Sequence, residues 1–182
     1  MPSKSNSSDE PKGENSLRGY WRVYGGITAV LRSTYFWMAI LITALSGVPT
    51  AKDGEGLIWP QMTIEIVPSL LGLGLGAMAL MLSFSSGRFL EAIKQKGKDR
   101  SYLRKVMASF YHFALVLVAA LVVAYIGKAQ QHWLLSYIGV FLSTYGVLLT
   151  LGIVSRIWHT ARIFNKVLEY DLPEEGAGNG RR

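Results

Sequence analysis

The chain of 182 residues contains no cysteine, and charged residues make up only 17% of it. Without a thiol it can form neither a disulfide framework nor a thiolate metal site. Ordinary soluble domains carry about 25% charged residues, so the shortage of charge argues against a soluble fold. The charges are also segregated: between Ser33 and Trp158 they collect in a few short stretches and leave long charge-free runs.

Four apolar runs predict four membrane-spanning helices, because a helix needs about 20 largely apolar residues to cross the hydrocarbon core of a bilayer. The fourth run begins and ends with tryptophan, which favours the two membrane interfaces. The predicted spans are about 33–50, 62–86, 106–127 and 133–158. They belong to one membrane domain, 16–172, between polar tails at 1–15 and 173–182 that are predicted to be disordered.

The distribution of lysine and arginine predicts how these spans are oriented. The segment before the first span has five of them, the loop between the second and third spans has seven, and the C-terminal segment has five. The two remaining loops have one each, Lys52 and Lys128. Cytoplasmic loops carry the excess of positive charge, so both termini and the basic loop are predicted to be cytoplasmic. The net charge of +7 is therefore interpreted as contact with anionic lipid headgroups, with no nucleic-acid partner.

Two further helical elements are predicted at the cytoplasmic face. Apolar and aromatic residues recur at helical spacing in 17–31, with arginines among them, which is typical of an amphipathic helix in the headgroup plane; Gly25 and Gly26 weaken its middle. The basic loop can form a helical hairpin. The predicted fold class is thus an all-α, integral membrane four-helix bundle with an N-terminal interfacial amphipathic helix and a cytoplasmic helical hairpin.

The second span carries two features of interest. Gly72, Gly76 and Ala79 form a small-residue surface, which lets helices approach closely in lipid; we predict helix packing there, either within the bundle or between protomers. Glu65 and Pro68 lie near its external end. A carboxylate beside a carbonyl that proline leaves without a hydrogen bond suits a cation at a pore mouth, and the alternative is a solvated interfacial Glu.

No cluster of residues indicates catalysis, a metal or a cofactor, so the chain is interpreted as a non-enzyme. Within the spans, His112 has no second histidine or carboxylate at coordinating spacing and is predicted to be a hydrogen-bonded histidine of the bundle. The basic loop is predicted to contact lipid or a partner through its seven cations. These are Arg88, Lys94, Lys96, Lys98, Arg100, Arg104 and Lys105.

The segment IVPSLLGLGLGAMALMLSFSSGRFL, followed by the basic hairpin and two more spans, resembles small four-span inner-membrane proteins of bacteria, some of them encoded beside phage-defence genes. The resemblance implies a bacterial inner-membrane location and carries no site residues. Two functions remain open. One is an anchor, sensor or accessory subunit for a cytosolic partner, with a defence or stress system as its setting. The other is a homo-oligomeric, ion-conducting pore.

Overall fold

The computed structural model of the protein describes residues 16–47, 58–83, 102–130 and 132–171, and the regular structure in these ranges is entirely helical. The predicted all-α class is therefore confirmed. The predicted tails at 1–15 and 173–182 and most of the predicted hairpin lie outside the described residues. The helices are α1 (Ser16–Tyr24), α2 (Gly26–Leu31), α3 (Thr34–Leu45), α4 (Ile58–Ser83), α5 (Tyr102–Ala129) and α6 (Trp133–Asp171).

Three of these helices are long and apolar enough to cross a membrane: α4, α5 and the Trp133–Ile163 part of α6. The shortest, α4, has 26 residues, and at about 1.5 Å per residue it is about 39 Å long. That exceeds the roughly 30 Å of a bilayer's hydrocarbon core. The structure therefore supports a transmembrane-helix protein, as the apolar runs predicted.

The first predicted span, 33–50, contains a much shorter helix. With 12 residues, α3 is roughly 18 Å long, less than the thickness of the hydrocarbon core. The helix ends because Gly47 takes a φ of +73°, the left-handed conformation that commonly follows a helix C-cap. Residues 48–50 lie outside the described part of the chain, so a crossing at this position stays a prediction.

The predicted amphipathic segment 17–31 is two short helices rather than one. The break falls at Gly25 and Gly26, whose φ values are +102° and +68°. Glycine adopts such values at little cost because it has no Cβ. The two glycines therefore do more than weaken a helix: they divide the segment into α1 and α2.

α5 is the central helix. It packs against α4, α6 and α1, while α6 also contacts α4 and α3. Residues at intervals of three or four on one face of α5 are buried, and this spacing gives an α-helix a single apolar face. They are Val106, Phe110, Phe113 and Leu117. The core is completed by residues of α3, α4 and α6, among them Ala39, Val67 and Leu149.

At the end of the bundle where α4 begins, Trp59 wedges between α5 and α6. Its indole lies against Gly127 of α5 and Gly139 of α6, so that a Cβ at either glycine would overlap the ring. Its Nε1 donates a hydrogen bond of 3.2 Å to Ser136 Oγ. Small residues here permit the three helices to approach closely around one large side chain.

We expect Gly139→Ala to destabilise the protein by about 1–3 kcal/mol, the usual effect of overpacking a core. In detergent this lowers the midpoint of thermal unfolding. The matched control is Gly72→Ala in α4, where a Cβ has no neighbour within 4 Å among the described residues. In Gly72→Ala we expect the midpoint of thermal unfolding to stay the same or to rise. The reason is that alanine has a higher helix propensity than glycine, worth up to about 1 kcal/mol. Equal midpoints for both variants would contradict the wedge.

Candidate functional site

A polar stripe runs along one face of the apolar helix α5. Lys105, Ser109 and His112 are spaced four and three residues apart, so they lie one above another on the same side of the helix. Ser109 Oγ donates to the carbonyl of Lys105 at 2.8 Å. The stripe starts near the end of α5 that is rich in basic residues and reaches into the packed interior, because His112 is buried.

His112 joins two tyrosines from different helices. One ring nitrogen, Nδ1, is hydrogen-bonded to the Tyr20 hydroxyl of α1 at 2.6 Å. The other, Nε2, is hydrogen-bonded to the Tyr145 hydroxyl of α6 at 3.0 Å. Both ring nitrogens therefore have a partner, which offsets the cost of burying a polar group. The prediction that His112 is a hydrogen-bonded histidine of the bundle is confirmed.

A second α1 side chain, Tyr24, lies flat on the imidazole. The two ring centroids are 4.4 Å apart and the planes are 26° from parallel. Burial raises the pKa of Tyr20 and of Tyr24 above the usual phenol value, so both hydroxyls keep their protons at neutral pH. The network thus fastens α1 to the bundle through neutral hydrogen bonds and ring contacts.

Next to this network lies an open cavity of about 380 Å³. Its floor is formed by buried side chains, including Phe113, Leu149 and Ile153. Its walls come from the end of α1, the α2–α3 junction, α5 and α6. Fourteen residues line it: Val23, Tyr24, Ala29, Arg32, Ser33, Tyr35, Lys105, Ser109, His112, Phe113, Leu149, Gly152, Ile153 and Arg156.

The cavity is strongly basic. Arg32 follows α2, Lys105 is on α5 and Arg156 is on α6, and all three side chains are exposed. Between residues 19 and 163, the described part of the chain contains one carboxylate, Glu65, and its side chain is hydrogen-bonded to Gln61 on α4. Within that part of the chain, the three cations of the cavity therefore have no carboxylate partner.

The structure separates the other predicted site residues from this cavity. Glu65 is near the opposite end, where its Oε1 accepts a 2.7 Å hydrogen bond from Gln61 Nε2, and Gln61 Oε1 accepts one of 3.1 Å from Lys128. Pro68 lies within α4. A pore mouth at Glu65 and Pro68 stays a prediction.

The small-residue surface of α4 faces outward. Gly72, Gly76 and Ala79 are exposed, and a Cβ at either glycine would have no described atom within 4 Å. Gly74 is the glycine of this run that packs inside the chain, against Phe113. Of the two predicted alternatives, packing within the bundle is not seen among the described residues, and packing between protomers stays a prediction.

Of the basic residues predicted to contact lipid or a partner, two lie in the described ranges. Lys105 lines the cavity and Arg104 is on the exposed side of α5. The remaining five, Arg88, Lys94, Lys96, Lys98 and Arg100, lie outside the described residues.

Known proteins offer no assignment for this site. The chain matches no protein family model, no curated protein and no solved structure. The described residues contain no group of three or more histidine or acidic side chains that could hold a metal ion. The chemistry of the cavity suits an anion at its cations and an apolar group on its floor.

Sequence reasoning missed most of this site. It treated Tyr20 and Tyr24 only as part of the amphipathic segment 17–31 and gave Arg156 no place in a site. The readable signal was the spacing of Lys105, Ser109 and His112, which places three polar residues on one face of an otherwise apolar span. Which other helices meet that face could not be read from the spacing.

We expect Tyr20→Phe to destabilise the protein by about 1–3 kcal/mol, because it leaves a buried imidazole nitrogen without a partner. Tyr145→Phe acts on the same histidine, so the two changes should be non-additive in a double-mutant cycle of thermal unfolding. Tyr125→Phe is the control, since that side chain is 61% exposed. Additive effects of Tyr20→Phe and Tyr145→Phe would contradict a connected network.

Proposed function

We propose that this chain is a multi-pass inner-membrane protein that acts as a sensor or accessory subunit for a cytosolic partner. Its four apolar runs would cross the membrane, with both termini in the cytoplasm. Support comes from three membrane-length helices and from the cations Arg32, Lys105 and Arg156 at one common end, with Lys128 at the other. This segregation agrees with the preference for positive charge on the cytoplasmic side.

The observation that carries the sensor role is the attachment of α1. This helix contacts the bundle through Tyr20 and Tyr24, and Tyr24 also lines the basic cavity. The other side of α1 presents Trp21 and Arg22, which are exposed. One short helix therefore touches both the cavity and the surroundings. A ligand that binds in the cavity would change the contacts of α1, and a partner docked on α1 would respond to that change.

The proposed topology can be tested with single cysteines because the natural chain has none. A membrane-impermeant maleimide should label Gln130→Cys in cells whose outer membrane is permeabilised and whose inner membrane is closed. Lys166→Cys should react only after the inner membrane is also opened. Both side chains are exposed, so access to reagent decides the result. Labelling of Lys166→Cys in cells with a closed inner membrane would contradict cytoplasmic placement of this end.

The second candidate is a homo-oligomeric pore, and one observation favours it. Six residues of α4 fall on a single stripe at intervals of three or four, and all are exposed. They are Glu65, Ser69, Gly72, Gly76, Ala79 and Ser83. Small and polar residues on a lipid-facing helix suit contact with another helix, and a carboxylate at one end suits the entrance of a cation path.

A photo-crosslinking amino acid distinguishes the two candidates when it replaces Trp21 in one variant and Ser69 in another. The sensor role predicts that the Trp21 variant crosslinks a cytosolic protein in cells. It also predicts that Tyr20→Phe with His112→Phe, which release α1, weaken this crosslink. A pore predicts dimers of the chain from the Ser69 variant, together with ion flux in liposomes that Glu65→Gln alters. Crosslinks at Trp21 to lipid alone would contradict the sensor role.

A further inference from the structure

The basic cavity is shaped for an amphiphilic anion rather than for a simple ion. Its volume of about 380 Å³ lies within the roughly 300–1,000 Å³ typical of small-molecule sites. The floor is apolar, because the side chains of Phe113, Leu149 and Ile153 line it. The cations are exposed and stand at the margin. A ligand that fills this space therefore needs a negatively charged group and an attached organic part.

Three positive charges around one space repel one another, and a bound anion removes that repulsion. The charges belong to separate elements: Arg32 follows α2, Lys105 is on α5 and Arg156 is on α6. Two of them are arginines, whose planar guanidinium groups bind phosphate through paired hydrogen bonds. Lysine adds a mobile point charge of the kind that also binds phosphate.

Neutral hydroxyl groups supply further donors. Ser33, Tyr35 and Ser109 line the same cavity. Ser33 is the N-cap residue of α3, yet its hydroxyl makes no hydrogen bond to the helix. Cations from three elements, together with hydroxyls, match a group with several acceptor oxygens, and phosphate is such a group.

We propose that this cavity binds the phosphate group of a small organic phosphate, either an anionic phospholipid headgroup or a soluble phosphate ester. The phosphate lies among Arg32, Lys105 and Arg156, and its organic part rests on Phe113, Leu149 and Ile153. Tyr24 forms part of the wall, so the ligand contacts the helix through which the proposed sensor would act. The inference deepens that role by naming the class of its ligand.

The test is native mass spectrometry of the full chain in mild detergent, with four probes. Phosphatidylglycerol and glycerol 3-phosphate carry the anion on a lipid and on a soluble molecule. Phosphatidylcholine and glycerol are the corresponding probes without net negative charge. We expect one or both anionic probes to bind more tightly than the matched probe without net negative charge. If phosphatidylglycerol binds and glycerol 3-phosphate does not, the site is a lipid site. If glycerol 3-phosphate binds, the site accepts a soluble ligand.

The variants locate the binding. The double variant Arg32→Gln with Arg156→Gln should bind the anionic probe about tenfold or more weakly than the natural chain. The reason is that two charge-assisted hydrogen-bond donors are lost. Arg32→Lys with Arg156→Lys keeps the charge and should bind with intermediate affinity. The control, Arg162→Gln with Lys166→Gln, removes the same charge from exposed positions that do not line the cavity. It should bind as the natural chain does.

Two results would overturn the proposal: no preference for either anionic probe, or equal weakening by the cavity variant and the control. Thermal unfolding without ligand verifies that each variant is folded, and the lysine variant preserves the test if the glutamine variant is unstable. The crosslink from Trp21 is measured separately. If the cavity binds phosphate but Trp21 crosslinks no protein, the sensor role is contradicted and the ligand site is supported. If Trp21 crosslinks a cytosolic protein but the cavity does not prefer the anionic probes, the ligand site is contradicted and the sensor role is supported.

Discussion

The structure depends on one constraint: its long helices have apolar side chains on the outside as well as the inside. Leu73, Leu80 and Leu151, for example, are about as exposed as surface residues of a soluble protein. Lipid can cover such side chains, and the helical backbone satisfies its own hydrogen bonds there. Burial of apolar surface therefore does little to hold the helices together. Close packing and polar contacts between helices take over that task.

Both kinds of contact occur, at opposite ends of the bundle. Near the start of α4, Trp59 fills a gap that Gly127 and Gly139 leave open. Near the basic end, His112 ties α1 and α6 to α5 through two tyrosine hydroxyls. Every buried side-chain nitrogen and oxygen atom in the described ranges has a hydrogen-bond partner. The polar groups in the interior are thus part of the packing.

The same network shapes the cavity beside it. Because Tyr24 stacks on His112, the end of α1 is held over the space between α5 and α6. Gly25 and Gly26 then separate α1 from α2, and Arg32, which follows α2, lines the same cavity. Three cations that are far apart in the sequence, Arg32, Lys105 and Arg156, therefore line one cavity. This arrangement, rather than any single residue, is what gives the site its affinity for an anion in our proposal.

Sequence alone determined the helical class and three helices of membrane length, because long apolar runs and segregated charges reflect the solvent around each segment. It also indicated His112 as a hydrogen-bonded residue and the weak point at Gly25 and Gly26. The first apolar run contains the shorter helix α3, which ends before Gly47, and apolar composition alone does not show that end. Only the tertiary structure decided that Arg32, Lys105 and Arg156 share one cavity and that Gly72 and Gly76 face outward. Those facts depend on which helix faces meet, and contacts between distant segments leave no periodic signal in the chain.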